Sequence, residues 1–362
     1  YFLDIQVHLL LANSNHKKLI KQVYEYKPKY VCLLNKKIQK KFIKDIKDLN
    51  VKVINPENIL DFISNTKSDL SLLSISGISA LKFIEPILKN TNILGLVNKE
   101  CIVSGGHLFK NLFKKNKAIV VPLDSEHFSL FNYFRSTDTN YKNINQIYLT
   151  ASGGPFLGLK KNQLQNIKYK DAVKHPIWKM GYKNSIDSAT MANKCLEVIE
   201  AKYLFNFDFQ LLKILIHPEA LVHSIIEYKN FTSTLNYFYH DMDIPIINFL
   251  NFYKKNKIVL QKHDYNFNKD SSLNFYQTNN KFFPILDIFH QIEKKPQNLI
   301  KFNVANEFAV NLFANNKIKY HEISKIIEKC LYIEFDYLVN NVKNVLLFEE
   351  NYLEKINNEF NL

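Results

Sequence analysis

The chain has 362 residues, is 46% hydrophobic and carries a formal charge of +14. That length exceeds one average core and points to two or three domains, and the apolar content excludes a disordered chain. The positive charge is almost all lysine, with Arg135 the single arginine, so the guanidinium forks that read bases and phosphates are missing and the charge is read as a solvated surface.

Short apolar runs alternate with helical patterns through the first third. Residues 7–12 (VHLLLA) predict a strand and His16–Tyr26 a helix; 30–34 predict a strand before a lysine-rich helix, and 51–54 another strand. Residues 70–75 lead into SGISA and 93–97 into NKE, and 118–121 (AIVV) and 147–150 (IYLT) extend the series. Strands separated by helices of this length imply a parallel sheet. Residues 185–200 (SIDSATMANKCLEVIE) read as one helix, 224–239 as hairpin strands, 251–281 as an Asn-rich linker and 283–362 as a small helical bundle. Cys32, Cys101, Cys195 and Cys330 form no CxxC pair, which excludes the usual zinc pattern and a disulfide framework and suits a reducing compartment. No apolar run of about eighteen residues marks a membrane span. Neither a signal peptide nor an initiator Met stands at Tyr1, so the chain is expected to be incomplete at its N-terminus.

Polar groups cluster where three of these strands end, the place where open parallel sheets bind ligands. Asn98, Lys99 and Glu100 follow ILGLV; the lysine suits a phosphate or a carbonyl, and an ordinary βα turn fits as well. Asp124, Ser125 and Glu126 follow AIVVPL. In an extended segment residues i and i+2 point the same way, so the two carboxylates converge and ask for a hard divalent cation, although a solvated loop also fits. His127 beside them reads as structural. Ser152, Gly153 and Gly154 follow IYLT; glycines there let backbone N–H groups approach an anion, or form a tight turn closed by Pro155.

The 185–200 helix has an unusual polar arc. Asp187 or Ser188 would cap it, and its first turn would offer Ser188 and free N–H groups to a phosphate. Glu197 would lie more than two turns further on, able to face a metal; the alternative is a surface helix with paired charges, against which the narrow polar arc counts. His175, Trp178, Met180 and Gly181 precede it in a Pro- and Gly-marked segment, read either as a mobile lid or as an anchored loop.

Taken in order, LVNKE, PLDSEH, LTASGGPF, HPIWKMG, SIDSATMANKCLEVIEAKYLF, LIHPEALVHSIIE, DMDIPI and NVANEFAV resemble the 1-deoxy-D-xylulose-5-phosphate reductoisomerase family. The resemblance implies an α/β protein: a Rossmann-like NADPH-binding domain (1–118) with its first βα unit apparently missing, an α+β catalytic and dimerisation domain (119–250), a linker (251–282) and a C-terminal α-helical bundle (283–362). It implies NADPH and Mg²⁺, Mn²⁺ or Co²⁺ as cofactors, a sugar phosphate substrate and a homodimer, with neither nucleic acid nor membrane as partner. The family isomerises 1-deoxy-D-xylulose 5-phosphate and reduces the resulting aldehyde to 2-C-methyl-D-erythritol 4-phosphate, in the non-mevalonate route to isoprenoids. By resemblance Asp124, Glu126 and Glu197 hold the metal. Lys99, Ser125, Glu126, Ser152, His175, Ser188, Asn193, Lys194 and Glu197 contact the substrate. Asn13, Ser14, Asn15, Asn98, Glu100 and Gly181 face the cofactor, Trp178 and Met180 belong to the lid, and Glu200 supports the metal ligands.

The chain departs from the family in lacking a GSTGSIG-type phosphate loop, which would precede Tyr1. Asn13 stands for the Gly of an AGxN turn, a place where Asn accepts left-handed geometry. Ala151, Leu157, Tyr182 and Asp243 stand where the family has Gly, two basic residues and Arg. The compartment implied is a bacterial cytoplasm, or a plastid-type organelle if a transit peptide has been lost. Two other readings are an inactive, degraded homologue and a basic RNA-binding protein; the latter requires lysines and exposed aromatics on one face.

Overall fold

Five strand–helix units build the N-terminal third, and their short apolar strands pair in parallel. The computed structural model describes residues 5–137, 139, 141–178, 180–252, 258–260 and 272–361. Strands β1 (Leu9–Ala12), β2 (Tyr30–Leu33) and β3 (Lys52–Val53) form one parallel sheet in that order, with Leu9 opposite Tyr30. Helices α1 (His16–Tyr26) and α2 (Lys36–Asp45) pack on it through Leu19, Val23 and Phe42, and α3 (Ile59–Ser64) follows. Asn15 and Asn35 start α1 and α2, each side chain accepting a hydrogen bond from an N–H in the first turn. A second parallel sheet holds β4 (Ser68–Leu73), β5 (Thr91–Leu96) and β6 (Ile119–Pro122). Between them run α4 (Leu81–Asn90) and α5 (Lys99–Lys115). The strand that opens the expected second domain, β6, therefore hydrogen-bonds to β5.

The next strand does not extend that pattern. After α6 (Ser125–Ser136), β7 (Ile144–Ala151) becomes the centre of a mixed sheet. Helices α7 (Tyr169–Ala172), α8 (Tyr182–Thr190) and α9 (Ala192–Phe205) separate it from β8 (Leu212–Ile216), its parallel neighbour, and β9 (Val222–Tyr228) lies antiparallel on its other side. The expected hairpin is present, β9 pairing with β10 (Ser233–Tyr237). The sheet reads β10-β9-β7-β8-β11, and its last strand, β11 (Tyr276–Gln277), comes from the segment expected to be linker. Asn274 anchors that segment, donating from Nδ2 to Glu219 at 2.6 Å and accepting at its carbonyl from His217 at 2.8 Å. Within that stretch, 253–257 and 261–271 lie outside the described residues. Helix α10 (Asp243–Leu250) lays Phe249 against β5, where a Cβ on Gly95 would sit 2.9 Å from the ring.

The expected single helix over 185–200 is two helices. Met191, at φ +69°, ends α8 and starts α9. A left-handed non-glycine residue costs about 1–2 kcal/mol, and the surroundings hold it there. The Tyr320 hydroxyl donates to the carbonyl of Ala189 at 2.6 Å, and the Thr190 hydroxyl accepts from the N–H of Ala192 at 3.3 Å.

The C-terminal region is helical, as the periodicity predicts: α11 (Pro284–Gln291), α12 (Pro296–Ala314), α13 (Ile323–Tyr332) and α14 (Val342–Glu359). Its apolar residues join one continuous core with α4, α5 and α9, so the chain is an α/β protein with a helical C-terminal region. Among the described residues no helix is long and apolar enough to cross a membrane.

Glu307 and Glu349 line a groove of about 330 Å³ between α12 and α14. Burial, then repulsion from Glu307 and Glu100, pushes Glu349 up to about 7. An acid whose folded value is raised costs stability once the unfolded chain ionises: nothing below about pH 4.5, the full amount above pH 7. Glu349→Gln is therefore expected to stabilise the protein by about 2 kcal/mol at pH 8, after discounting partial exposure, and to do nothing at pH 4. Urea melts of both proteins at the two pH values check this; a gain that is equal at both contradicts it.

Candidate active site

The polar residues at the ends of β5 and β6 meet those of α9, while Ser152 after β7 meets Ser188 of α8 through His175. Asp124 occupies the N-cap position of α6, and Ser125 and Glu126 begin the helix. The two carboxylates converge as expected, but for another reason: the segment is helical from Ser125, and both acids sit at the positive end of α6, where the helix dipole favours them. Glu197, from the second turn of α9, completes the set, and one oxygen from each of the three acids lies within 4.8 Å of the others.

Two lysines neutralise this cluster. Lys99 Nζ donates to Asp124 Oδ2 at 2.9 Å, Asn193 Oδ1 at 2.8 Å and Glu197 Oε1 at 3.0 Å. Lys194 Nζ lies 2.9 Å from Glu126 Oε1 and also pairs with Glu197 Oε2. Asn193 donates to Glu197 from its amide, and the Ser125 hydroxyl donates to Glu126 at 2.6 Å. Burial alone would lower the Lys99 ammonium, but Asp124, Glu197 and Glu200 outweigh it and hold it well above the lysine range. Burial likewise opposes ionisation of Asp124, and Lys99, His127 and Lys194 overcome it, holding the carboxyl well below its usual range. Glu197 goes the other way, raised by burial and by the charges of Asp124 and Glu126.

His127 is more than the structural residue expected. Nδ1 faces Asp124 Oδ1 at 3.0 Å and Glu200 Oε2 at 3.3 Å, and Nε2 faces the carbonyl of Glu197 at 2.9 Å. All three partners are acceptors, so both ring nitrogens carry protons and the ring is an imidazolium. Burial opposes that charge, but Glu200 and Asp124 outweigh it and raise the ring to about 9. The signal was legible: His127 is one helical turn after Asp124 on α6. Glu200, fully buried, finds no hydrogen bond for either oxygen among the described residues.

Burial raises Glu200, behind the cluster, to about 8, so the three convergent acids Asp124, Glu126 and Glu197 are the ones that offer charged oxygens to a divalent cation. Two donor sets satisfy the spacing, Asp124–Glu126–Glu197 and Asp124–His127–Glu200. His127 spends both ring nitrogens as donors, so the all-carboxylate set fits, and its hard oxygen donors suit Mg²⁺ or Mn²⁺.

Beside it lies a neutral polar cradle. His175 Nδ1 accepts from the N–H groups of Ile177 at 3.2 Å and Trp178 at 2.8 Å, which leaves the proton on Nε2. That nitrogen is 3.0 Å from Ser152 Oγ and 3.1 Å from Ser188 Oγ. Burial, with help from Lys194, lowers His175 to about 4, so it remains a neutral donor. Gly154 (φ +71°) permits the assembly, since a Cβ there would sit 2.8 Å from the carbonyl oxygen of Ser188. Contrary to expectation, Ser188 is near the C-terminal end of α8 and Asp187 caps nothing. Ser188 lies in the last turn of α8, away from the free N–H groups of that helix's first turn. Asp187 is buried and receives Lys183 at 2.7 Å and Asn306 at 2.8 Å.

The remaining expected residues are placed as follows. Trp178 has its ring edge-on to His223 and His240, at 6.3 and 6.1 Å. Met180 is half-buried, and Gly181 precedes α8 with open space where a Cβ would be. The Asn98 side chain caps α5, accepting from Cys101 at 2.7 Å, and its amide donates to the carbonyls of Ile75 and Gly77. Glu100 faces Lys183 at 3.4 Å. Asn13, Ser14 and Asn15 are exposed at the C-terminal end of β1, Asn15 as the cap of α1. Asn13 is not among the residues with positive φ, so no left-handed geometry is needed there.

Three family models match the chain. That of 1-deoxy-D-xylulose 5-phosphate reductoisomerase covers residues 3–106, and two for the C-terminal domain of the same enzyme cover 120–205 and 239–354. A reductoisomerase of Pelagibacter ubique is 40% identical over 337 residues, 92% of this chain and 86% of its own. An apicoplastic one of Plasmodium falciparum is 34% identical over 342 residues, 90% of this chain and 70% of its own. A crystal structure of DOX-P reductoisomerase with NADPH, fosmidomycin and magnesium superposes with a TM-score of 0.87 at 27% identity, covering 99% of this chain and 92% of that one. The Zymomonas mobilis enzyme with NADPH gives 0.85 at 28% identity, covering 97% and 90%.

Proposed function

The chain belongs to the 1-deoxy-D-xylulose 5-phosphate reductoisomerase family, and from that premise we propose how its residues divide the work. The protein is an NADPH- and divalent-metal-dependent enzyme that converts 1-deoxy-D-xylulose 5-phosphate into 2-C-methyl-D-erythritol 4-phosphate. The observation that carries the assignment of residues is the triad Asp124, Glu126 and Glu197, with oxygens within 4.8 Å, flanked by Lys99 and Lys194. These three acids would hold the cation. When bound, the cation supplies Lewis acidity at the substrate's oxygens and the nicotinamide supplies hydride.

The protein's own groups bind, orient and exclude water. Lys194, Ser188, Ser152 and His175 form the phosphate end: one ammonium, two hydroxyls and an imidazole that donates from Nε2. A neutral imidazole suits that place because it gives a hydrogen bond without competing for a proton. Lys99 and Asn193, already hydrogen-bonded to the acids, would turn to the substrate's oxygens with Ser125. His127 and Glu200 hold Asp124 in position from behind. Trp178 and Met180 would close over the substrate, strengthening every charge interaction beneath them. Asn13, Ser14 and Asn15 would take the adenosine end of NADPH, and Glu100 and Gly181 the nicotinamide side with Asn98 behind them.

We assign the cofactor domain to 1–118, catalysis and dimerisation to 119–250, the linker to 251–282 and the bundle to 283–362. A homodimer is supported by Phe231, 98% exposed on the β9–β10 turn, and by half-exposed Leu235 on the edge strand. The compartment proposed is a bacterial cytoplasm or a plastid-type organelle, the latter in keeping with the apicoplastic relative. The test is NADPH consumption with 1-deoxy-D-xylulose 5-phosphate and Mn²⁺, with the product identified by NMR. Metal-dependent formation of the methylerythritol phosphate is expected; a folded, metal-binding protein that consumes no NADPH would be the inactive homologue instead.

A further inference from the structure

A second buried ionic network shares α5 and α8 with the active site. Lys183, in the first turn of α8, places Nζ 2.7 Å from Asp187 Oδ2 one turn later and 3.4 Å from Glu100 Oε1 in the first turn of α5. The other oxygen of Asp187 accepts from Asn306 Nδ2 on α12 at 2.8 Å. Three helices from different parts of the chain therefore meet around one ammonium. The Asp187 side chain is 1% exposed and that of Lys183 17%. A pair this deep bears a desolvation cost that a surface pair escapes, and such pairs fix geometry better than they add stability.

Their sequence neighbours show which geometry is fixed. Glu100 follows Lys99, which grips Asp124 and Glu197. Asp187 precedes Ser188, which faces His175. We propose that Lys183 is a positioning residue for the reductoisomerase reaction: by bridging Glu100 and Asp187 it sets the start of α5 against α8 and so fixes how far the metal cluster lies from the phosphate cradle. This rests on the function proposed above. Burial opposes the Lys183 charge, but Asp187, Glu100 and Glu307 outweigh it and raise the ammonium above the ordinary range. The bundle contributes Asn306 as the brace on Asp187, touching no substrate.

The test separates the two ends of the site. In Lys183→Met the KM for the sugar phosphate, and the dissociation constant for inorganic phosphate, are expected to rise about tenfold or more, since a small misplacement of positioning groups has effects of that order. Mn²⁺ affinity should change less than about threefold, because its ligands stand on α6 and α9 rather than α8. Lys183→Arg keeps charge and reach and should recover most of the phosphate affinity. Equal losses of phosphate and Mn²⁺ affinity, an unchanged KM, or no recovery in the arginine variant would each overturn the proposal. If Lys183→Met does not fold, Asp187→Asn serves: it keeps a hydrogen bond to Asn306, loses the ionic anchor and should shift phosphate binding the same way, and unchanged binding overturns the bridge. Phosphate and Mn²⁺ titrations need no turnover, so a wild-type protein inactive on 1-deoxy-D-xylulose 5-phosphate would refute the function without sparing or sinking Lys183.

Discussion

Replacing Glu197 by glutamine is expected to lower metal-dependent turnover about a thousandfold, the several kcal/mol that a correctly held cation contributes, while the fold survives. The side chain is 1% exposed and touches Lys99, Lys194 and Asn193. Glutamine keeps its volume and removes its charge. Lys99 retains Asp124 and Lys194 retains Glu126, so neither ammonium is stranded. Burial and two neighbouring acids already disfavour the Glu197 charge, and the metal-free variant should melt no lower than the parent. Mn²⁺ titration followed by electron paramagnetic resonance would show the lost affinity. Wild-type turnover at wild-type Mn²⁺ concentrations would remove Glu197 from the metal site.

Lys194→Met should act with opposite signs on the two ligands. Its ammonium, in a residue only 4% exposed, pairs with Glu126 and Glu197. Loss of a buried charged partner costs about 2–5 kcal/mol, so affinity for the sugar phosphate should fall about a hundredfold or more. The same deletion withdraws a positive charge from two of the acids proposed to hold the metal, and Mn²⁺ should bind the variant more tightly. Calorimetric titration of each ligand checks the pair of signs. Weakened binding of both would mean that Lys194 supports the local fold rather than the phosphate.

Much of this site was legible because its chemistry repeats along the chain at strand ends. Asp124, Glu126, Lys99 and Ser152 each follow an apolar run, and the structure gathers Asp124, Glu126 and Lys99 around Glu197. The amphipathic helix over His16–Tyr26 was legible to the residue, since its apolar period and Asn15 cap agree. What failed was what long-range contacts decide. Nothing between Ser185 and Glu200 is glycine or proline, so local propensity gives no hint of the break at Met191; Tyr320 from the bundle and the close approach of Gly154 accompany it. The assignment of β7 to a new sheet depends on β8 and β9, far away in sequence. Tyr276–Gln277 is strand only because β8 offers an edge. Lys183 and Asp187 look like an ordinary surface pair until α12 covers them.

The left-handed residue between α8 and α9 changes what evolution can adjust. In a continuous helix the span from Ser188 to Glu197 would be dictated by pitch, about 1.5 Å per residue. Here a single backbone joint interrupts it, with Ser188, proposed for the phosphate, on one arm and Glu197, proposed for the metal, on the other. Selection at position 191 then acts on torsion more than on side-chain volume. Glycine or asparagine would keep the joint at little cost, and a β-branched residue would strain it. The distance between the two proposed ends of the site thus depends on one φ angle.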